Sequence, residues 1–175
     1  MPDENESRDR EQPEPWMRGM PEGVDAVIGH LVRAAEQIRE DAQAALRGLT
    51  EAQLWARPMG MTSAGFHAKH LAGSTERLST YLAGRQLTPE QLAAIRMEGQ
   101  GTETATDLLA SIELAIGSYE TTLRNLDPKD FGEVREIGRK RYRTTAVSVA
   151  IHIVEHGQRH IGGLIAAAKL ARASS

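Results

Sequence analysis

Four segments of this chain repeat their apolar residues at helical spacing, and that pattern leaves little besides a helical bundle for it to fold into. The stretch "VDAVIGHLVRAAEQIREDAQAALRGL" sets Val24, Val27, Ile28, Leu31, Ala35, Ile38, Ala42, Ala45 and Leu46 on one stripe, with Gly48 as a terminator. A second helix is expected over about 63–83, stopping before Gly84, and a third over about 104–126, stopping before Pro128. A fourth is expected over about 145–171. "TEAQLWARP" reads as a short capped turn, and a further short piece starts at Thr88 with Pro89 in its first turn. Between the third and fourth helices lies a polar connector, "DPKDFGEVREIGRKRYRT". Aromatic residues make up only 4% of the chain and β-branched clusters are few, so nothing competes with the helical pattern. The expected class is all-α, a four-helix bundle.

At 175 residues the chain has material for one such domain with a buried core. The opening "MPDENESRDREQPEP" is charged and lacks an apolar run. Residues 1–20 are therefore expected to form a flexible N-terminal arm, disordered or extended, with the bundle over 21–175. That opening also lacks the apolar stretch of a secretory signal, and no stretch approaches the roughly 20 apolar residues that span a bilayer. The net charge of −3 gives no pull toward nucleic acid or an anionic membrane. With no cysteine, thiolate chemistry and cysteine metal sites are excluded, and a cytoplasmic location is the expectation.

The residues that carry chemistry are histidines. Three of the six lie in "AIHIVEHGQRHIGG", at positions 152, 156 and 160. Residues four apart share a helix face, so either neighbouring pair can aim two imidazoles at one ion. His152 and His160 stand about 12 Å apart along the axis, too far to share one ion on an unbroken helix. "HIVEH" matches an inverted zinc-peptidase pattern, with Glu155 as base. A helical wheel centred on Val147, Ile151, Val154, Ile161 and Ile165, with Val149, Ile153 and Leu164 extending one side, puts His160 and His156 along that extended edge. His152 falls nearer the polar face. The wheel thus favours His156 and His160 as an inward pair. Gly157, Gly162 and Gly163 each cost a helix about 1 kcal/mol relative to alanine, and close approach of a neighbouring helix or ligand would account for them. A third ligand is expected from "SAGFHAKHLAGSTERL", where His67 and His70 are three apart and periodicity slightly prefers His67.

"HAKHLAGSTERLSTYLAG", followed downstream by "HIVEHGQRHIGGLI", resembles the DinB-like (DinB/YfiT-like) superfamily of metal-dependent enzymes. The resemblance covers roughly residues 23–171. It implies a four-helix bundle with a divalent metal, zinc or nickel, held by His70, His156 and His160. Gly163 stands where that family commonly has glutamine. Members include transferases and isomerases that use low-molecular-weight thiols, as well as hydrolases. The implied partner is a small-molecule substrate, and a homodimer is left open.

Three neutral imidazoles leave a bound ion its full charge, which activates water or a thiol. Hydrolysis also calls for a nearby base, and His67 and His152 are the catalytic candidates, ahead of Glu155. A thiol cofactor bearing carboxylates calls for cations, and the connector supplies Arg135, Arg139, Lys140, Arg141 and Arg143. Of these, Arg139 and Arg141 are the candidate cofactor contacts. A bundle that binds metal without catalysis, or a bare structural bundle, is the competing expectation.

Overall fold

A computed structural model describes residues 12–174. Its elements run α1 (Ala26–Leu46), α2 (Glu51–Trp55), α3 (Ala64–Leu82), α4 (Pro89–Ala94), α5 (Ala105–Arg124), β1 (Val134–Ile137), β2 (Tyr142–Thr145) and α6 (Ala146–Ala173), with short 3-10 turns between some of them. The four long helices α1, α3, α5 and α6 form the bundle. Both α1 and α3 pack principally against α5 and α6, so α1 lies diagonally across from α3. The chain therefore crosses the bundle between α1 and α3 and again between α5 and α6. The short α2 bridges α3 and α6 on the first crossing, and the β-hairpin packs on α3 and α6 on the second.

The helix starts follow from local chemistry. Asp25, Ser63, Thr104 and Thr145 each accept a hydrogen bond from a backbone N–H in the first turn of α1, α3, α5 and α6. Such a cap contributes about 1 kcal/mol. The core joins Ile28, Leu31, Ile38 and Leu46 of α1 to Leu71 and Leu82 of α3, Ile112 and Leu123 of α5, and Val149, Ile153 and Leu164 of α6. Buried alanines, among them Ala42, Ala68, Ala150 and Ala168, let the helices approach closely, and Tyr119 is the largest side chain fully enclosed between them. Among the described residues, no helix is long and apolar enough to cross a membrane.

Three features depart from the sequence reading. First, the flexible arm expected over 1–20 is not free throughout. Residues 1–11 fall outside the described residues, but beyond them Pro15 is buried. Arg18 bonds Glu36 at 2.9 Å and also pairs with Glu40, both on α1. Those two carboxylates act only once α1 has formed, so the local composition does not betray the contact. Second, the polar connector contains an antiparallel hairpin, with Val134 paired to Thr145 and Ile137 to Tyr142. Its Arg135 is buried and donates from Nε to the Leu82 carbonyl at 2.7 Å, a cation placed on the carbonyl end of α3. Third, the buried stripe of α6 is rotated from the wheel's centre. Ile151 is 39% exposed, whereas Val149, Ile153 and Leu164 are buried. The small residues Ala146, Ala150, Gly157, Ala167 and Ala168 pull the contact face round, and that rotation carries it toward the histidines.

Candidate metal centre

The centre forms where α3 and α6 cross. Ser63 starts α3 by accepting from the Phe66 N–H at 3.1 Å, which puts His67 and His70 in the first two turns of that helix. On α6, His156 and His160 stand one turn apart in mid-helix. Glycine sets how closely the elements approach. A Cβ at Gly157 would lie 2.5 Å from Ile38 Cδ1, and one at Gly163 would lie 2.4 Å from the His67 ring. Gly162 faces open space, with nothing within 4 Å of such a Cβ. Two of the three mid-helix glycines thus mark a close approach.

His70, His156 and His160 each offer a ring nitrogen, and these three atoms lie within 4.8 Å of one another. The Nε2 atoms of His70 and His156 are 3.1 Å apart. Two nitrogens bound tetrahedrally to zinc at about 2.0–2.1 Å stand about 3.3 Å apart, so the pair is close to chelating geometry before any ion enters. The ring centroids of His70 and His160 are 4.3 Å apart, and those of His156 and His160 4.6 Å. Phe66 stacks on His70 at 5.5 Å with the rings 16° from parallel.

All three rings are half-buried. Burial, followed by the charge of neighbouring histidines, pushes His156 and His160 down to about 4. The positive field of Arg159 acts in the same direction on both. These two imidazoles are neutral at pH 7, the state in which they donate a lone pair to a cation. An uncharged nitrogen set of this kind suits zinc, nickel and related divalent ions better than calcium or magnesium.

Around the three sit residues with distinct contacts. His67 brings Nδ1 to 3.2 Å from His160 Nδ1, and burial lowers its pKa as well. His152 lies at the rim: its side chain is 50% exposed, its ring centroid is 5.6 Å from that of His156, and its Nδ1 is 3.8 Å from Glu155. Glu155 is more exposed still, at 63%. The structure does not bring Arg139 and Arg141 to the histidines. Both belong to the hairpin turn, where Arg141, at φ 49°, pairs with Glu136 at 2.7 Å. The eleven residues between the α6 cap and His156 span about 17 Å.

Sequence reasoning missed Glu98 and Arg77. Glu98 follows α4 on a loop, is buried, and sets Oε2 2.6 Å from His70 Nδ1 and Oε1 2.7 Å from Arg77 Nη2. Burial alone would raise its pKa, but the bond to His70 and the Arg77 charge outweigh that and hold it below the ordinary glutamate value. The spacing around Glu98 carries no signal of this, because the contact exists only after the loop folds back onto α3.

The family model of the DinB superfamily matches residues 34–164, which span all of these side chains. The fold is similar to that of YfiT from Bacillus subtilis, described as "a probable metal-dependent hydrolase with an unusual four-helix bundle topology". That likeness has a TM-score of 0.62 at 16% identity and covers 91% of this chain and 97% of that one. No curated protein matches the chain.

Proposed function

The chain belongs to the DinB superfamily, and on that premise we propose that it is a metal-dependent enzyme of hydrolase type in which His70, His156 and His160 hold one divalent ion. The observation that carries this reading is the convergence of three ring nitrogens from two helices within 4.8 Å. An ion bound there supplies a Lewis acid of undiminished charge, able to acidify a water or a thiol and to polarise a carbonyl or phosphoryl oxygen. The chain's own residues do the rest. His67 accepts the Nδ1–H of His160 on its own Nδ1 and fixes that ring's orientation, which leaves its Nε2–H as a donor toward substrate. His152, half-exposed at the mouth, is the base that takes a proton from the attacking group. The Arg159 cation at the rim favours an anionic substrate or leaving group. The similarity to YfiT supports the hydrolase type over the thiol-transferase type. A thiol whose carboxylates met Arg139 and Arg141 would have to reach from the hairpin along about three turns of α6.

Elemental analysis of the purified protein and its variants tests the reading. About one equivalent of zinc or nickel is expected in the parent and in His152→Ala, with loss in His156→Ala. Full metal content in His156→Ala would refute the ligand assignment. Turnover of activated esters, amides or phosphoesters by the loaded protein, absent in His152→Ala, separates an enzyme from a bundle that only binds metal.

A further inference from the structure

Glu98 is a buried carboxylate on the loop that follows α4. A charge in that position is stable only when paired and hydrogen-bonded. Its two oxygens are divided between two partners on α3: Oε2 is hydrogen-bonded to His70 Nδ1 at 2.6 Å, and Oε1 is ion-paired, without a hydrogen bond, to Arg77 Nη2 at 2.7 Å. With the Arg77 guanidinium against its other oxygen, the carboxylate is placed to accept from His70, which puts the ring proton of His70 on Nδ1. The Nε2 lone pair then points at His156, into the space the three histidines surround.

Two independent features hold this arrangement. Gly73 lies one turn before Arg77, and a Cβ there would come within 2.7 Å of Arg77 Nη1 and 2.8 Å of Glu98 Oε1. Any larger residue would force the tips of that pair to shift. The loop that carries Glu98 is also pinned to α2, to α3 and to the segment between them. Lys69 donates to the Gln100 carbonyl at 2.8 Å, Trp55 Nε1 donates to the Glu103 carbonyl at 3.0 Å, and Arg57 donates to the Gly99 carbonyl at 3.3 Å.

We infer that Glu98, itself held by Arg77, is the positioning residue of the centre: it fixes the tautomer and ring angle of His70 so that Nε2 is presented to the metal. The inference rests on the metal-binding reading for its purpose, but the orientation it assigns to His70 exists without an ion. Carboxylates that accept from a metal-bound histidine fix its tautomer and raise its basicity, and their loss typically weakens metal affinity about 10–100-fold.

The experiment has two arms. In the first, nitrogen chemical shifts of histidine-labelled, metal-free protein are recorded at pH 8. His70 is expected as the Nδ1–H tautomer in the parent, shifting toward Nε2–H in Glu98→Ala. An Nε2–H tautomer in the parent overturns the inference, and this arm needs no variant to fold and no metal to bind. In the second, zinc affinity is measured by competition with a chromophoric chelator. Glu98→Gln and Glu98→Ala are expected to bind zinc about 10–100-fold more weakly than the parent. Affinities within twofold of the parent overturn the positioning role. If the parent itself takes up no zinc, the functional reading fails, while the tautomer arm still decides whether Glu98 orients His70.

Discussion

Gly162 and Gly163 are neighbours on α6, yet alanine should act on them in opposite directions. Replacing a glycine in a helix interior by alanine stabilises by about 1 kcal/mol through backbone entropy. At Gly162 nothing lies within 4 Å of the new Cβ, so that gain should appear undiminished. For a domain of this size it corresponds to a rise in Tm of about 2–4 °C. At Gly163 the new Cβ falls 2.4 Å from His67 Cε1, 2.7 Å from Nε2 and 2.8 Å from Nδ1. Carbon–carbon contacts are optimal at about 3.5–4.0 Å, so the ring must retreat by about 1 Å or more. It is a rigid ring, already 3.2 Å from His160. Overpacking of this kind costs about 1–3 kcal/mol, which cancels or exceeds the propensity gain. Gly163→Ala should therefore be less stable than Gly162→Ala by about 1–3 kcal/mol. Urea unfolding of the metal-free variants measures this difference directly. Zinc affinity measured on the same samples should fall in Gly163→Ala and hold in Gly162→Ala, because only the former displaces the partner of His160. If both alanines stabilise equally and bind zinc equally, His67 does not occupy the place assigned to it.

Further outcomes follow from the same contacts. His156 and His160 titrate near 4 in the folded protein, against about 6.5 when unfolded, so the unfolded chain binds more protons between those values. The metal-free protein should keep its full stability above about pH 6.5 and lose part of it as pH falls toward 4. His156→Gln should flatten that decline in a series of urea midpoints, and an unchanged slope would contradict the burial argument. Gly101→Ala would place a Cβ 2.0 Å from Trp55 Cη2, on a ring that also packs closely against Gly65. It should dislodge the loop bearing Glu98, read as a red shift of Trp55 emission in a Trp16→Phe background, and an unshifted spectrum would show the loop held by other contacts. Chelation should lower Tm without unfolding the bundle, because the apolar core spans all four long helices; loss of the helical circular-dichroism signal on chelation would show instead that the metal is needed to fold.

How far the sequence exposed this architecture depends on the range of the interaction concerned. Helix periodicity and caps act within a few residues, and the long helices begin at Asp25, Ser63, Thr104 and Thr145, close to where the pattern placed them. The hairpin escaped because its strands, VREI and YRTT, lack a clean alternation of apolar and polar residues. It is held by contacts to other elements, such as Arg135 on the Leu82 carbonyl and the Ala146 N–H on the Glu133 carbonyl. The histidine pair on α6 was legible from its spacing alone. On α3 periodicity preferred His67 over His70, and only the family resemblance brought His70 in as a ligand. The structure places both in the cluster, facing different members of the α6 pair. Glu98 was beyond reach, since it meets His70 across 28 residues of chain through a loop with no periodic signature.

Several of the positions where local rules are broken converge on this one place. Gly73, Gly157 and Gly163 weaken the helices that carry them, each by about 1 kcal/mol relative to alanine. Glu98 and Arg77 are buried charges, which well-packed apolar side chains commonly match or better in stability. His67, His156 and His160 are imidazoles held below their ordinary pKa by desolvation, a cost to the folded state wherever the unfolded chain would take up protons. Elsewhere in the bundle the conflicts are more scattered, as at Gly29 in α1 and Gly117 in α5. A fold selected for stability alone would shed these conflicts singly, since each is removable by one substitution. Their concentration around three convergent ring nitrogens is what an evolved site produces when local stability yields to ligand geometry. The exposed arginines of the hairpin turn stand apart from this cluster: Arg141 takes a left-handed backbone at φ 49°, but it serves the turn and already has a carboxylate partner in Glu136.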